Sequence, residues 1–306
     1  MGDLPEPDPV EASAMSLGDH LDELRRRLFR GVLAVAAAFV VAYIFRTQLR
    51  DLMDRPWNHA VVWLNDDLAA LHEEELLSSP GERPRDYYFE VLSDGTELLR
   101  EPIPSKLLVT GPFENFLVSL KVALYAALFV GGPYLLFELW GFIAAGLYRT
   151  ERRVVLSYLP VSVLLFFVGI LFAYLTMVPY GIYFLNRGEA LLSGRPDIRA
   201  SEYLSFLSIL CFGLGIVFQV PIVMTALARV QLVEPATFAK LRGHFVLGSF
   251  VLAAFFTPPD PYTQVMMAGP MVVLYEVGIW TSRGAARRAT ANSPLSGGPL
   301  SEGGNS

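Results

Sequence analysis

Across 306 residues the sequence has one cysteine, four histidines and only 18% charged side chains. The single Cys211 excludes a disulfide within the chain, and its place in an apolar run reads as a small buried hydrophobe. The histidines stand at no metal-ligand spacing; His72-Glu73 is followed by Glu-Glu-Leu, not by the second histidine of a zinc-protease helix. No glycine-rich loop ends in Lys-Ser/Thr, so a phosphate loop for nucleotide hydrolysis is excluded, and no serine stands in a Gly-x-Ser-x-Gly turn. No internal repeat of the kind seen in inverted-repeat carriers is visible. Residues 1–15 lack the basic start of a signal peptide; they are acidic, carry prolines and are expected to be disordered. The pattern calls for no cofactor, metal or nucleic acid.

What the chain has in plenty is apolar surface. It is 53% hydrophobic, with a mean hydropathy of +0.42, values that belong to a polytopic membrane protein. The net charge of −6 sits mostly in the N-terminal tail and one long loop. A helix crosses the bilayer with about 20 apolar residues. Leu28–Phe45, Phe116–Trp140, Val154–Val178 and Leu204–Leu227 meet that length. The second contains Lys121 and Gly131-Gly132-Pro133. His244–Phe256 and Gln264–Ser282 are shorter, and read either as a re-entrant pair or as a hairpin of short spans in a thinned membrane.

Loop charges choose between five spans and six. Arg25, Arg26, Arg27 and Arg30 flank the first run and assign it a cytoplasmic start. With six spans, Arg149, Arg152 and Arg153, then Arg229, Lys240 and Arg242, then Arg283, Arg287 and Arg288 fall on that same side. The opposite loop Thr257–Thr263 has no Lys or Arg, while Arg187, Arg195 and Arg199 break the asymmetry. Six spans with both termini inside fit best. Between the first two runs, Trp57–Leu77 has helical spacing, and Tyr87–Leu92 and Thr96–Arg100 flank Ser93-Asp94-Gly95 as a β-hairpin would. This outer loop, with an insert over 65–105, has too few apolar residues for its own core and is expected to cap the helices. The Gly/Ser/Pro-rich stretch 284–306 is expected to be disordered.

Polar residues in or beside spans are the candidate functional groups. Gln219 lies mid-span, with Pro221 two residues on; its structural reading is a helix–helix hydrogen bond. Glu276, in the last run, is close enough to the interface to snorkel. Asp260 follows Thr257-Pro258-Pro259 in an outer turn, where ordinary turn chemistry explains it. Glu23 precedes Arg27 by four residues, the favoured order for a helical ion pair. Glu151 precedes Arg152 and Arg153 and suits a helix start. Both carboxylates fall on one membrane rim among arginines, where a guanidinium ligand would bind in a bidentate fork.

Several separate blocks, in order, resemble the TatC family, the multispanning receptor subunit of the twin-arginine protein translocase. They are HLDELRRRL (20–28), ELWGFIAAGLYRTERR (138–153), FVGILFAY with VPY (167–180), YLSF (203–206), FGLGIVFQVPIV (212–223), FFTPPDPYTQ (255–264) and PMVVLYEVGI (270–279). The resemblance covers about 16–283. It implies an all-α membrane domain of six helices, the fifth and sixth short, forming a concave, glove-like wall with both termini cytoplasmic in the inner membrane. It implies that Glu23 and Glu151 receive the two arginines of a signal peptide, that Arg25 supports the site and that Phe142 belongs to the same loop. Gln219, Asp260, Gln264 and Glu276 would serve the intramembrane wall that meets single-span TatA/TatB-type subunits, with homo-oligomers in the receptor complex and export driven by the proton-motive force. Two departures stand out: Gln219 lies where the family often has Glu, and Ala145 where many members have proline. The rival readings are a small-solute carrier using Gln219 and Glu276, and an intramembrane hydrolase.

Overall fold

The structure, a computed structural model, describes residues 17–78, 89–91, 97–99, 103, 106–147, 149–193, 198–256 and 261–291. Five helical stretches are long and apolar enough to cross a membrane: Gly18–Ile44, Pro112–Ala145, Glu151–Arg187, Ala200–Arg229 and Pro261–Arg287. Arg242–Phe256 is a shorter apolar helix. Each covers one of the apolar runs of the sequence.

The first span is α1 (Leu17–Ile44) and the second α3 (Pro112–Ala145), which runs unbroken through Pro133. Proline punctuates the others. Pro160 cannot donate a backbone hydrogen bond, and the third span breaks before it, between α4 (Arg149–Leu156) and α5 (Leu159–Phe172). Beyond α5, a π-helical turn (Ala173–Met177) precedes Pro179 at the start of α6 (Val178–Ser193). Pro221 has the same effect in the fourth span, which parts at Phe218-Gln219 into α7 (Ala200–Val217) and α8 (Val220–Arg229).

The short α9 (Pro235–Lys240) leads to α10 (Arg242–Phe256), which pairs with α11 (Pro261–Ala291) as an antiparallel hairpin. At one end Arg242 meets Glu276; at the other Gln264 donates to the Phe250 carbonyl at 3.1 Å. Only the fifth apolar helix is short. α11 is 31 residues long and continues past Arg283, where disorder was expected. Ala285, Ala286, Arg287 and Arg288 are strong helix formers and carry the last span onward, before the Gly/Pro-rich stretch begins.

Close contact between spans depends on small residues. A Cβ on Gly132 would lie 2.3 Å from Phe166 Cε1, so α3 and α5 approach only because that atom is missing. Large apolar side chains left facing outward, among them Leu28, Phe29, Val32 and Leu33 on α1, are the surface that lipid covers.

The outer loop folds largely as expected. α2 (Arg46–Ser78) contains the helical stretch read from Trp57, and β1 (Phe89–Val91) pairs antiparallel with β2 (Glu97–Leu99), with Phe89 opposite Leu99. α2 buries Met53, Trp57, Val61, Leu64 and Leu68 in the same core as α7. Tyrosine hydroxyls fasten it: Tyr174 donates to Leu52 O, Tyr203 to Met53 O and Tyr183 to Asp67, each at 2.5 Å. Asn65 also holds both backbone groups of the fully buried Ile103 at 3.3 Å. α2 is therefore an integral layer of the bundle. Trp57→Ala should cost about 3–5 kcal/mol in chemical unfolding of the detergent-purified protein, whereas exposed Val62→Ala should change it by under about 0.5 kcal/mol. Equal tolerance at the two positions would contradict this layering.

Candidate functional site

The N-terminal turns of α1 lie against the C-terminal turns of α3, and the contact is ionic. Glu23 and Arg27 are one helical turn apart, so both face α3. Arg27 Nε donates to Glu23 Oε1 at 2.7 Å, and Arg27 Nη2 lies 2.6 Å from the same oxygen. Arg27 Nη1 reaches across to Glu138 Oε2 at 3.1 Å. Tyr134, one turn earlier on α3, donates its hydroxyl to Glu138 Oε1 at 2.8 Å. Glu138 is only 5% exposed. The guanidinium sits against Gly141, where a Cβ would stand 2.1 Å from Arg27 Nη1.

The cluster is formally unbalanced, with two carboxylates against one guanidinium. Both contacts from Arg27 to Glu23 end on Oε1, and Oε2 has no partner among the described residues. One turn before Glu23, His20 stacks on Phe142 with ring centroids 4.4 Å apart, and His20 Nδ1 is buried without a hydrogen-bond partner among the described residues. Glu151 lies half-buried in the first turn of α4, which packs on α3 just beyond Phe142. Glu23 and Phe142 thus lie toward the end of α3, and Glu151 stands in the helix that follows it. Arg25 is exposed on the far side of α1, two residues from Glu23.

The intramembrane candidates separate into two groups. Gln219, 8% exposed, is turned into the bundle. Its Oε1 accepts from Ser162 Oγ at 2.5 Å, its Nε2 donates to Ser162 O at 3.1 Å, and Trp140 Nε1 donates to Ser162 Oγ at 2.8 Å. The amide thus spans the proline break in the fourth helix and ties it to α5 and α3. Gln264 and Glu276 instead join α11 to α10; Glu276 forms an exposed fork with Arg242 at 2.6 and 2.9 Å. Asp260 lies outside the described residues. Among the described residues no group of His, Cys, Asp and Glu is placed to hold a metal.

The sequence reading missed Glu138, Tyr134, Ser162 and His20. Glu138 carried a usable signal, a carboxylate two residues from the end of an apolar run. Removing the cation between the buried Glu138 and the half-buried Glu23 should be severe: Arg27→Met should destabilise the protein by about 3–5 kcal/mol in chemical unfolding. Adding Glu138→Leu should restore most of that loss. A mild single-variant effect, or no recovery, would contradict a buried ionic link.

A family model described as Sec-independent protein translocase protein (TatC) matches residues 19–270. The protein called Sec-independent protein translocase protein TatC of Halothiobacillus neapolitanus is 34% identical over 279 residues, 90% of this chain and 64% of that protein's length. Its namesake in Desulforapulum autotrophicum is 34% identical over 266 residues, 87% of this chain and 83% of its own. TatCy of Bacillus subtilis is 30% identical over 284 residues, covering 93% and 95%. A crystal structure of the twin arginine translocase receptor TatC superposes with a TM-score of 0.64 at 28% identity, covering 88% of this chain and 100% of that one. With its apolar spans, its ionic collar and a family match over residues 19–270, this multi-pass membrane protein belongs to the TatC family of Sec-independent protein translocase components.

Proposed function

We propose that this chain is the receptor core of a twin-arginine translocase, binding the paired arginines of signal peptides on folded cargo. The observation that carries this reading is the unbalanced ionic cluster: Arg27 neutralises one carboxylate of the Glu23–Glu138 pair, and Glu23 Oε2 has no partner among the described residues. A second guanidinium from an incoming leader completes the charge balance there with charge-assisted hydrogen bonds. Glu151 takes the neighbouring arginine from the start of α4, and the His20–Phe142 stack adds an aromatic face at the end of α3. Arg25, facing outward, supports the site through its field rather than by contact.

In this reading Arg242–Phe256 also crosses, as the fifth of six spans, both termini are cytoplasmic, and the protein sits in the inner membrane. Single-span TatA/TatB-type subunits dock on a concave wall through the α10–α11 hairpin, where Gln264 and Glu276 lie, and Asp260 serves the same contact. Gln219 keeps the bent fourth helix fixed behind that wall through Ser162. Copies of the chain associate in the receptor complex, and the proton-motive force drives export. The protein transforms no substrate. A midplane carrier site is disfavoured, because Gln219 and Glu276 are each bonded within the bundle and belong to different contacts.

Two charge-assisted contacts at about 1.5–3 kcal/mol each imply a large loss when both acids go. Glu23→Ala with Glu151→Ala should reduce crosslinking of an Arg-Arg signal peptide at least about 100-fold while membrane insertion persists. Unchanged crosslinking, or equal crosslinking of a Lys-Lys leader to the wild type, would overturn the assignment.

A further inference from the structure

A groove of about 1000 Å³ opens between the α4–α5 junction, the end of α8 and the end of α11. It lies on the membrane face that carries Arg25–Arg30. Arg27 ties the start of α1 to the end of α3, and α4, whose last turn lines the groove, follows directly from that end. Three arginines line it, Arg229, Arg283 and Arg287, and among the described residues no carboxylate does. Arg229 Nη1 donates to Ala285 O at 3.2 Å, which fixes its guanidinium in the wall. Arg283 and Arg287 stand one helical turn apart on α11, are exposed, and form no ion pair among the described residues.

Guanidinium groups gathered in one concavity repel each other unless an anion sits among them. The hydroxyls of Thr225 and Thr281, 2.7 Å apart, bond each other and backbone carbonyls of their own helices, which leaves the guanidinium groups as the donors of the groove. The outer wall is apolar: Val161 is 48% exposed and Trp280 76% exposed. Tryptophan at that level belongs to the membrane interface, so the groove opens onto lipid rather than onto water alone.

We propose that this groove binds an anionic phospholipid, with its phosphodiester headgroup among Arg229, Arg283 and Arg287 and its acyl stem leaving over Val161 and Trp280. Basic pockets between spans on the cytoplasmic side are suited to such headgroups. A leader carrying two arginines is repelled by the same charges, so the groove and the carboxylate site on α1, α3 and α4 take opposite ligands. The lipid site rests on the membrane assignment and not on signal-peptide binding.

The test uses the full-length protein in nanodiscs of phosphatidylcholine doped with brominated phosphatidylglycerol or brominated phosphatidylcholine. The read-out is quenching of Trp280, with Trp280→Phe giving the background of the other tryptophans. Brominated phosphatidylglycerol should quench at a membrane fraction at least about fivefold lower. Arg283→Gln with Arg287→Gln should remove that preference while leaving crosslinking of an Arg-Arg peptide unchanged. Equal quenching by both lipids in the wild type overturns the proposal and needs no variant to fold. It also fails if the preference survives the double variant, or if millimolar inorganic phosphate abolishes it, which would make the groove a site for free anions.

Discussion

A guanidinium held between two carboxylates from different helices is the contact on which the receptor end of this bundle depends. Arg27 is drawn out of water against Gly141, and desolvating it is costly unless both Glu23 and Glu138 meet it. Tyr134 adds the hydrogen bond that satisfies the deeper acid. The arrangement fixes the register of α1 on α3 with polar geometry, in a place where lipid supplies no hydrophobic drive to bring helices together. Glu138 anchors Arg27, and Arg27 orients Glu23, whose Oε2 has no partner among the described residues. The proposed recognition of a leader draws on this same cluster.

The same economy recurs deeper in the membrane. Pro221 frees backbone groups and bends the fourth span, and Gln219 at the bend is held by Ser162, which Trp140 in turn engages. A glutamate there would need a proton or a counter-charge inside the bundle, whereas the neutral amide satisfies both its ends on one serine. That accounts for a glutamine at a position where the family often has an acid. On the outer side, tyrosine hydroxyls of the third and fourth spans donate to backbone carbonyls of α2 and to its Asp67, so α2 adds a layer to the core.

Much of this was legible in the sequence, because lipid imposes simple rules. Apolar runs gave the spans, and Ser93-Asp94-Gly95 between alternating residues gave the hairpin. Glu23 with Arg27 was readable from its four-residue spacing. Glu138 as their third member was not, since 111 positions separate it from Arg27 and only the packing of α1 on α3 joins them. Whether Gln219 faced a partner or the interior was equally undecided, because a single polar residue in an apolar helix carries no direction. The length of α11 was misjudged for a local reason: its Ala- and Arg-rich end was grouped with the Gly/Pro-rich residues that follow it.

The central claim is that Glu23, oriented by Arg27, makes direct contact with a leader arginine. A double-mutant cycle measures that contact: peptide affinity is determined for wild type and Glu23→Gln, each against a leader whose arginines are replaced one at a time by neutral citrulline. The account predicts a coupling of at least about 1.5 kcal/mol for one of the two arginines. Coupling within about 0.3 kcal/mol of zero for both would contradict it.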